Sequence, residues 1–436
     1  MAKITSFSEL QQAISKNEKD LVIQCSILCY PSFVLPENAA LRGETGKNAM
    51  LCFNNGDGVG LSVANTIKDI SIQTASDRKA VYLSSSNEDL GSYRFENLTL
   101  TGQFSFIART GVLSADITLN KIDIVSADAR NNFEQPQKYG VNALQGALTI
   151  YNFNSNADSV ITVLAENICI GRTNAPVIGS GIFIAGAGDR GGKTIVSRLH
   201  TGAVHSTGML PFGVADMITA GIFIVNGCQA KEIVHDGEIV TYGVNDMVLD
   251  TWGEVESWTC NAPVISYGPS GVGFVNFGIV GKFIANAPLE TYGLGARGYN
   301  QYDGTVEDAS FHSVTTYGDG SVGVQISKAI GKLTVLNDIT TYGSIGNSLV
   351  KGVNVQLPAV ALSIKPGGEV QQIEIKGSVV THGDKVISYE VNEGIVHDIR
   401  VEGAIIANGS DSIPISIENN GSSPVGHLRS RSAANS

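Results

Sequence analysis

The residues of this chain that could do chemistry crowd into one region. Asn245, Asp246, Asp250 and Trp252 lie together, and Asn276, Arg297, Asn300, Tyr302, Asp303 and Gln325 follow. Carboxylates in a cleft can act as general acid and base, provided their surroundings push their pKa values apart. Aromatic faces stack on sugar rings, and side-chain amides bind hydroxyls. Asp246 and Asp250 are therefore the candidate acid and base, with Asp303 as competitor. Trp252, Asn276, Asn300, Tyr302 and Gln325 are the candidate substrate-binding residues. One spacing needs explanation. Four residues along a strand span about 13 Å, whereas the two carboxyl groups of a glycosidase stand ~5–5.5 or ~6.5–9.5 Å apart. Each aspartate must find its partner on a neighbouring segment, or the strand must bend.

Three cations bear on this cluster. Arg297, in Gly295-Ala296-Arg297-Gly298, falls on a nominally inward position, where a guanidinium must be paired. It either forms an ion pair with Asp246 or Asp303, or positions substrate and steadies a catalytic acid. Lys351 and Lys365 are similar but weaker candidates. A second polar patch lies upstream at Asp128, Arg130, Gln135, Tyr139, Asn142 and Gln145. Asn142 and Gln145 are carried as binding candidates, because the polar segment 126–140 reads as an insertion loop and such loops wall grooves. The histidines have no ligand spacing. Gly186-Ala187-Gly188-Asp189-Arg190-Gly191-Gly192 lacks the Lys-Ser/Thr of a phosphate loop and reads as a turn.

The element that must position these residues is a repeat. Tyr242, Tyr267, Tyr292, Tyr317 and Tyr342 recur at 25-residue steps, each followed by Gly. Thr381-His382-Gly383 and Ala407-Asn408-Gly409 continue the pattern, after a gap that holds one unit plus a 15-residue insertion. Short β-branched and aromatic runs split by Gly and Asn mean short strands between tight turns. Three strands and three corners fit one coil of a parallel β-helix, in which residues one period apart stack in columns. Seven residues after each tyrosine come Leu249, Phe274, Tyr299, Val324 and Leu349, an inward column. Strand alternation then sends positions four, six and eight outward, so Gly273, Gly298 and Gly323 face out. That glycine face reads as the floor of a groove, as a subunit interface, or as both. The glycine after each tyrosine reads as a corner of positive φ, and the tyrosines as a stack that steadies it. Ser6-Phe7-Ser8-Glu9 forms a capping box for a short helix with Leu10, Ala13 and Ile14 inward. The expected organisation is a helical cap over 1–20, a β-helix over 21–410, and an extension over 411–436 whose end is disordered.

Composition narrows the function. The chain has 436 residues, formal net charge −12, 16% charged residues and 50 glycines. An acidic chain lacks the basic face a nucleic-acid backbone demands. No apolar run of membrane-spanning length is present, and the N-terminus shows no secretory signal. The six scattered cysteines read as reduced thiols of a cytoplasmic protein, although a mature secreted form would look the same.

Phe33-Val34-Leu35-Pro36-Glu37-Asn38-Ala39-Ala40-Leu41-Arg42-Gly43, following a short helix, resembles the opening of the pectin-lyase-like right-handed parallel β-helix proteins. With the 25-residue columns, the likeness covers roughly residues 20–410. It implies an all-β solenoid and a carbohydrate-active enzyme: a glycoside hydrolase, a fructan transferase, an epimerase or a polysaccharide lyase. It also implies tailspikes and adhesins with no chemistry in the shaft. The expectation is an enzyme acting on glycosidic bonds, a hydrolase or intramolecular glycosyl transferase, with no cofactor and no metal. Its partners are a carbohydrate and other copies of itself, a homotrimer being favoured. The alternative is a non-catalytic binding or assembly β-helix. A lyase stands third, because no Asp-rich run has calcium-loop spacing.

Overall fold

A computed structural model describes residues 1–134, 138–214, 216–350 and 353–432. It is a parallel β-helix, built almost entirely of short parallel strands. The chain forms two compact units. Met1–Lys138, Leu144–Ser206 and Phe223–Glu232 make the first; Tyr139–Ala143, Thr207–Ile222 and Ile233–Ser436 make the second.

The first unit begins with the strand Ala2–Ile4, which pairs with Asp20–Ile23, and the helix Phe7–Ser15 between them. The capping box is present: the Glu9 amide donates to Ser6 Oγ (3.3 Å), and the Thr5 amide donates to Glu9 Oε2 (2.7 Å). Leu10 and Ala13 are buried, so the helix turns its apolar edge inward. Longer strands follow. Asp89–Thr101 pairs with Ser114–Ser126, which pairs with Val160–Ile170. Their shared corner is a column of left-handed residues, Asp69, Asn97, Lys121 and Asn167, with φ between 53° and 58°. Tyr93, Phe95, Phe104 and Phe106 fill the interior beside it.

The second unit repeats in coils of three strands. Ile239–Thr241, Asp246–Thr251 and Glu254–Cys260 make one coil. Val264–Ser266, Val272–Asn276 and Ile279–Ala285 make the next. Each strand pairs in register with its counterpart one period on, as Ile239 does with Val264 and Val264 with Leu289. The interior is aromatic: Phe274 stacks on Phe283 (4.0 Å) and on Tyr299 (5.3 Å), with Trp258 and Phe311 around them. The tyrosine ladder forms as expected, with ring centroids 4.6–5.5 Å apart, and His382 extends it.

Two details of the coil differ from the expectation. The left-handed corner residue lies three positions after the tyrosine, at Asn245, Ser270, Gly295 and Gly320, and not one after. The glycine immediately after the tyrosine is required for a different reason. A β-carbon on Gly268, Gly293, Gly318, Gly343, Gly383 or Gly409 would overlap the carbonyl oxygen of the glycine one coil away. Here the coils touch backbone to backbone.

The faces of the second strand also differ. Val248, Gly273, Gly298 and Gly323 were expected to face outward. Val248 is fully buried, and β-carbons on the glycines would run into the interior side chains of Leu289, Val314 and Ile339. Positions six and seven both face inward, because the ladder pairs Met247 with Val272 and Leu249 with Phe274 and skips the residue between. The alternation breaks there, and positions five and eight turn outward. The glycines are therefore neither a groove floor nor a subunit face.

The insertion after Tyr342 is an antiparallel hairpin, Ile345–Val350 with Val353–Pro358. Leu349 belongs to it, and Leu362 takes the interior column position beside Val324. The coils also continue past residue 410. Ile413–Glu418 pairs with Ile387–Asn392, and Ser430–Ser432 with Ile405–Ala407. All six cysteines are free thiols, Cys29, Cys228 and Cys260 buried. No described helix is long and apolar enough to cross a membrane.

Candidate functional site

The second unit carries a cleft of about 590 Å³, within the size range of small-ligand sites. Its floor is the sheet of second strands. Met247, Val272 and Arg297 contribute from position five, and Val275, Asn300 and Gln325 from position eight. These are the positions that the break in alternation turns outward. One wall is aromatic. Trp252, Phe277 and Tyr302 follow one another at 25-residue steps, with centroids 6.0 and 4.8 Å apart. Tyr139 packs against the first two at 5.2 and 5.0 Å. Tyr139 is held at φ 62° in the turn Lys138–Gly140, a conformation uncommon for a bulky residue. The far side is the insertion hairpin: Leu349 and Val350 line the cleft. It is pinned there by the Leu349 amide donating to Ser270 Oγ (2.9 Å) and by Ser348 Oγ donating to the Gly295 carbonyl (2.7 Å). Asp216, Met217 and Ile218 close the remaining edge, beside Asn142–Ala143, which pairs with Met217–Ile218.

The expected catalytic pair does not face this cleft. Asp246 is fully buried and holds three parts of the chain together. It accepts hydrogen bonds from the Gly208 amide (3.0 Å to Oδ2), the Gly243 amide (2.7 Å) and Thr219 Oγ1 (2.7 Å). Burial raises its pKa to about 6, against the opposing pull of those donors. Asp250 shares the register column of Val275, Asn300 and Gln325 but is fully buried. Neither of its oxygens meets a partner at hydrogen-bonding geometry. Burial raises its pKa well above 3.8, against a smaller pull from the Trp252 side chain. Asp303 is partly exposed at the rim, 3.4 Å from the Tyr139 hydroxyl and 3.8 Å from Lys328 Nζ.

The expected binding residues divide. Trp252, Arg297, Asn300, Tyr302 and Gln325 all line the cleft. Asn276 does not: it is fully buried, its Nδ2 donating to Gln301 Oε1 (3.2 Å) and the Thr305 carbonyl (3.1 Å), which fastens a corner. Gln145 belongs to the first unit and is buried. Asn142 sits beside the cleft-lining segment 139–141 without lining it. Lys351 and Gln135 lie outside the described residues. Lys365 is committed to Glu390 (2.7 Å), and Arg130 to Asp128 (2.6 Å).

Arg297 is the exception to that pairing. It is 7% exposed, yet it forms no ion pair with Asp246, Asp303 or any other described residue, and its Nε has no partner. Burial pulls its pKa down to about 10. Phe277, Asp216 and the hairpin were not singled out as site residues in the sequence. Phe277 was legible, since position ten is aromatic in three successive coils; the other two depend on tertiary folding. Among the described residues, no group of three or more His, Cys, Asp or Glu is placed to hold a metal ion. No protein-family model, curated protein or solved structure matches the chain.

Proposed function

We propose that the cleft of the second unit binds a carbohydrate, and that the chain is a glycan-binding β-helix protein. The observation that carries this reading is the composition of the cleft. Four aromatic rings stand along one wall, and the side-chain amides of Asn300 and Gln325 share a floor with them. Aromatic rings meet the apolar faces of a pyranose, and amides can both donate to and accept from its hydroxyls. The hairpin and the 139–141 turn give the open sheet face the concavity such a ligand needs.

Cleavage of a glycosidic bond is a second reading, favoured by Asp303 at the rim beside Tyr139 and by Asp216 in the lining. These, not Asp246 and Asp250, would be its acid and base. A glycan panel read by intrinsic fluorescence tests binding directly, because Trp252 lines the cleft and Trp258, the second tryptophan, lies in the interior. Saturable quenching by one glycan class, lost in Tyr302→Ala, supports the site; no response from any glycan overturns it. Product mass after long incubation, with Asp303→Asn beside the wild type, separates binding from turnover.

A further inference from the structure

The floor of the cleft changes character at one coil boundary. Position five runs Met247, Val272, Arg297, and position eight runs Val275, Asn300, Gln325, each residue paired with its counterpart one coil on. Both columns pass from apolar to polar at the same step, between the strands Val272–Asn276 and Arg297–Gln301. The next members outward, Asp250 and Val322, are buried and lie outside the lining. The walls change with the floor. Phe277 belongs to the coil of Val272; Tyr302, which adds a hydroxyl, belongs to the coil of Arg297. Met217 and Ile218 extend the apolar end, because Met217–Ile224 is the strand next before Asp246–Thr251 in the same sheet. The hairpin crosses the coils in reverse order: Gly346 lies against Gly320, Ser348 bonds Gly295, and the Leu349 amide bonds Ser270. Leu349 therefore comes down over the coil of Val272, at the apolar end. The polar groups at that end are marginal or engaged: Asp216 is exposed, Asn245 is partly exposed at a corner, and the Ser270 hydroxyl holds the hairpin.

We propose that the ligand is an amphiphilic glycoside: its sugar lies over Arg297, Asn300 and Gln325, and an alkyl or aryl aglycone lies over Met247, Val272 and Val275. This rests on the carbohydrate reading above and adds a second half to the ligand. A sugar alone carries hydroxyls around its whole rim, and those over methionine and valine would lose water without gaining a partner. An apolar molecule alone would leave the Arg297 guanidinium and two side-chain amides against hydrocarbon, which costs as much. Small-ligand sites commonly scatter a few polar groups through an apolar lining. Here the two kinds are segregated along the solenoid axis, so the ligand must be segregated too. Its long axis follows the coils, with the sugar toward the C-terminal end. Asn300 and Gln325 lie 3.4 Å apart between side chains, so their amides form one continuous polar strip under the sugar.

The test titrates the full chain with the phenyl and n-octyl glycosides of glucose, galactose and N-acetylglucosamine, each beside the methyl glycoside of the same sugar. Concentrations stay below those at which the octyl compounds form micelles, and phenol and n-octanol serve as apolar groups without sugar. One buried methylene strengthens binding by about fourfold, so burying two already exceeds tenfold. The expected result is at least tenfold tighter binding of the phenyl or octyl member than of the methyl member, for at least one sugar. That ratio should shrink in Met247→Gln and in Val272→Thr, which keep the volume and add a polar atom. Asn300→Ala should instead weaken both members and keep the ratio. The wild-type comparison needs no variant, so a substitution that fails to fold does not remove the test. Equal or tighter binding of the methyl member, or a ratio unchanged in both Met247→Gln and Val272→Thr, overturns the proposal and leaves the carbohydrate reading standing. Phenol or octanol binding as tightly as its glycosides overturns the sugar in both readings, as does silence from every compound.

Discussion

Asp246 and Asp250 show how burial decides what a carboxylate does. Both are fully enclosed, yet Asp246 faces two backbone amides and a hydroxyl while Asp250 faces almost nothing polar. Removing the Asp246 side chain strands those donors, each costing roughly 1–3 kcal/mol when left unmet. Asp246→Ala should therefore destabilise by about 3 kcal/mol in denaturant unfolding, and Asp246→Asn, which keeps an acceptor for the amides, by clearly less. The two aspartates also set a pH dependence. A carboxyl whose folded pKa is raised binds its proton more tightly in the native state, so stability is greatest at low pH and falls as pH rises. For Asp246 the fall runs from about 4 to about 6 and amounts to roughly 3 kcal/mol. For Asp250, whose pKa lies higher still, it continues beyond. Asp250→Asn should fold, lose little stability near pH 4, and be more stable than the wild type at pH 8. Urea midpoints at the two pH values check this. A wild-type curve flat from pH 4 to pH 8 would contradict both assignments.

At the scale of elements, the cleft depends on a strand that breaks its own alternation and on a hairpin that folds back over it. The period of the coils was legible, because stacked coils place like residues in columns. So was the insertion, because it interrupts the column after Tyr342. The facing of the second strand was not: strict alternation sends Gly298 outward and Arg297 inward, and the reverse holds because the residue between two ladder pairs is skipped. Five cleft residues are legible all the same, since Trp252, Arg297, Asn300, Tyr302 and Gln325 stand at repeating positions of successive coils whichever way each one points. The expected catalytic pair misses the cleft for a different reason: an exposed aspartate and one under a covering segment look alike in a sequence. The hairpin gives a sharp test. It adds no strand to the coil ladder, its two strands pairing with each other. Replacing 345–358 by a short Gly-Ser link should leave the far-ultraviolet spectrum and the melting transition nearly unchanged, while weakening ligand binding at least tenfold. Unchanged affinity would remove the hairpin from the site.

Across the whole molecule, a solenoid transmits strain only between neighbours, because each coil touches the one before and the one after. The glycine column of the second unit lets this be measured. A β-carbon on Gly293 would meet the carbonyl of Gly268, and one on Gly268 the carbonyl of Gly243, whereas Gly409 meets Gly383 several coils away. Each Gly→Ala change must force two coils apart at a corner, at a cost of about 1–3 kcal/mol typical of overpacking. Once Gly268→Ala has opened its corner, the adjacent Gly293→Ala needs less further displacement. The double variant should therefore lose clearly less stability than the sum of the two singles. Gly268→Ala with Gly409→Ala shares no coil contact and should be additive to within about 0.5 kcal/mol. Additivity in both pairs would mean that the corners relax independently, and that the columns are aligned without being mechanically joined. Coupling in the adjacent pair alone would tie the 25-residue period to its physical cause, the contact of one backbone with the next. It would also explain why that corner keeps glycine where its conformation would accept any residue.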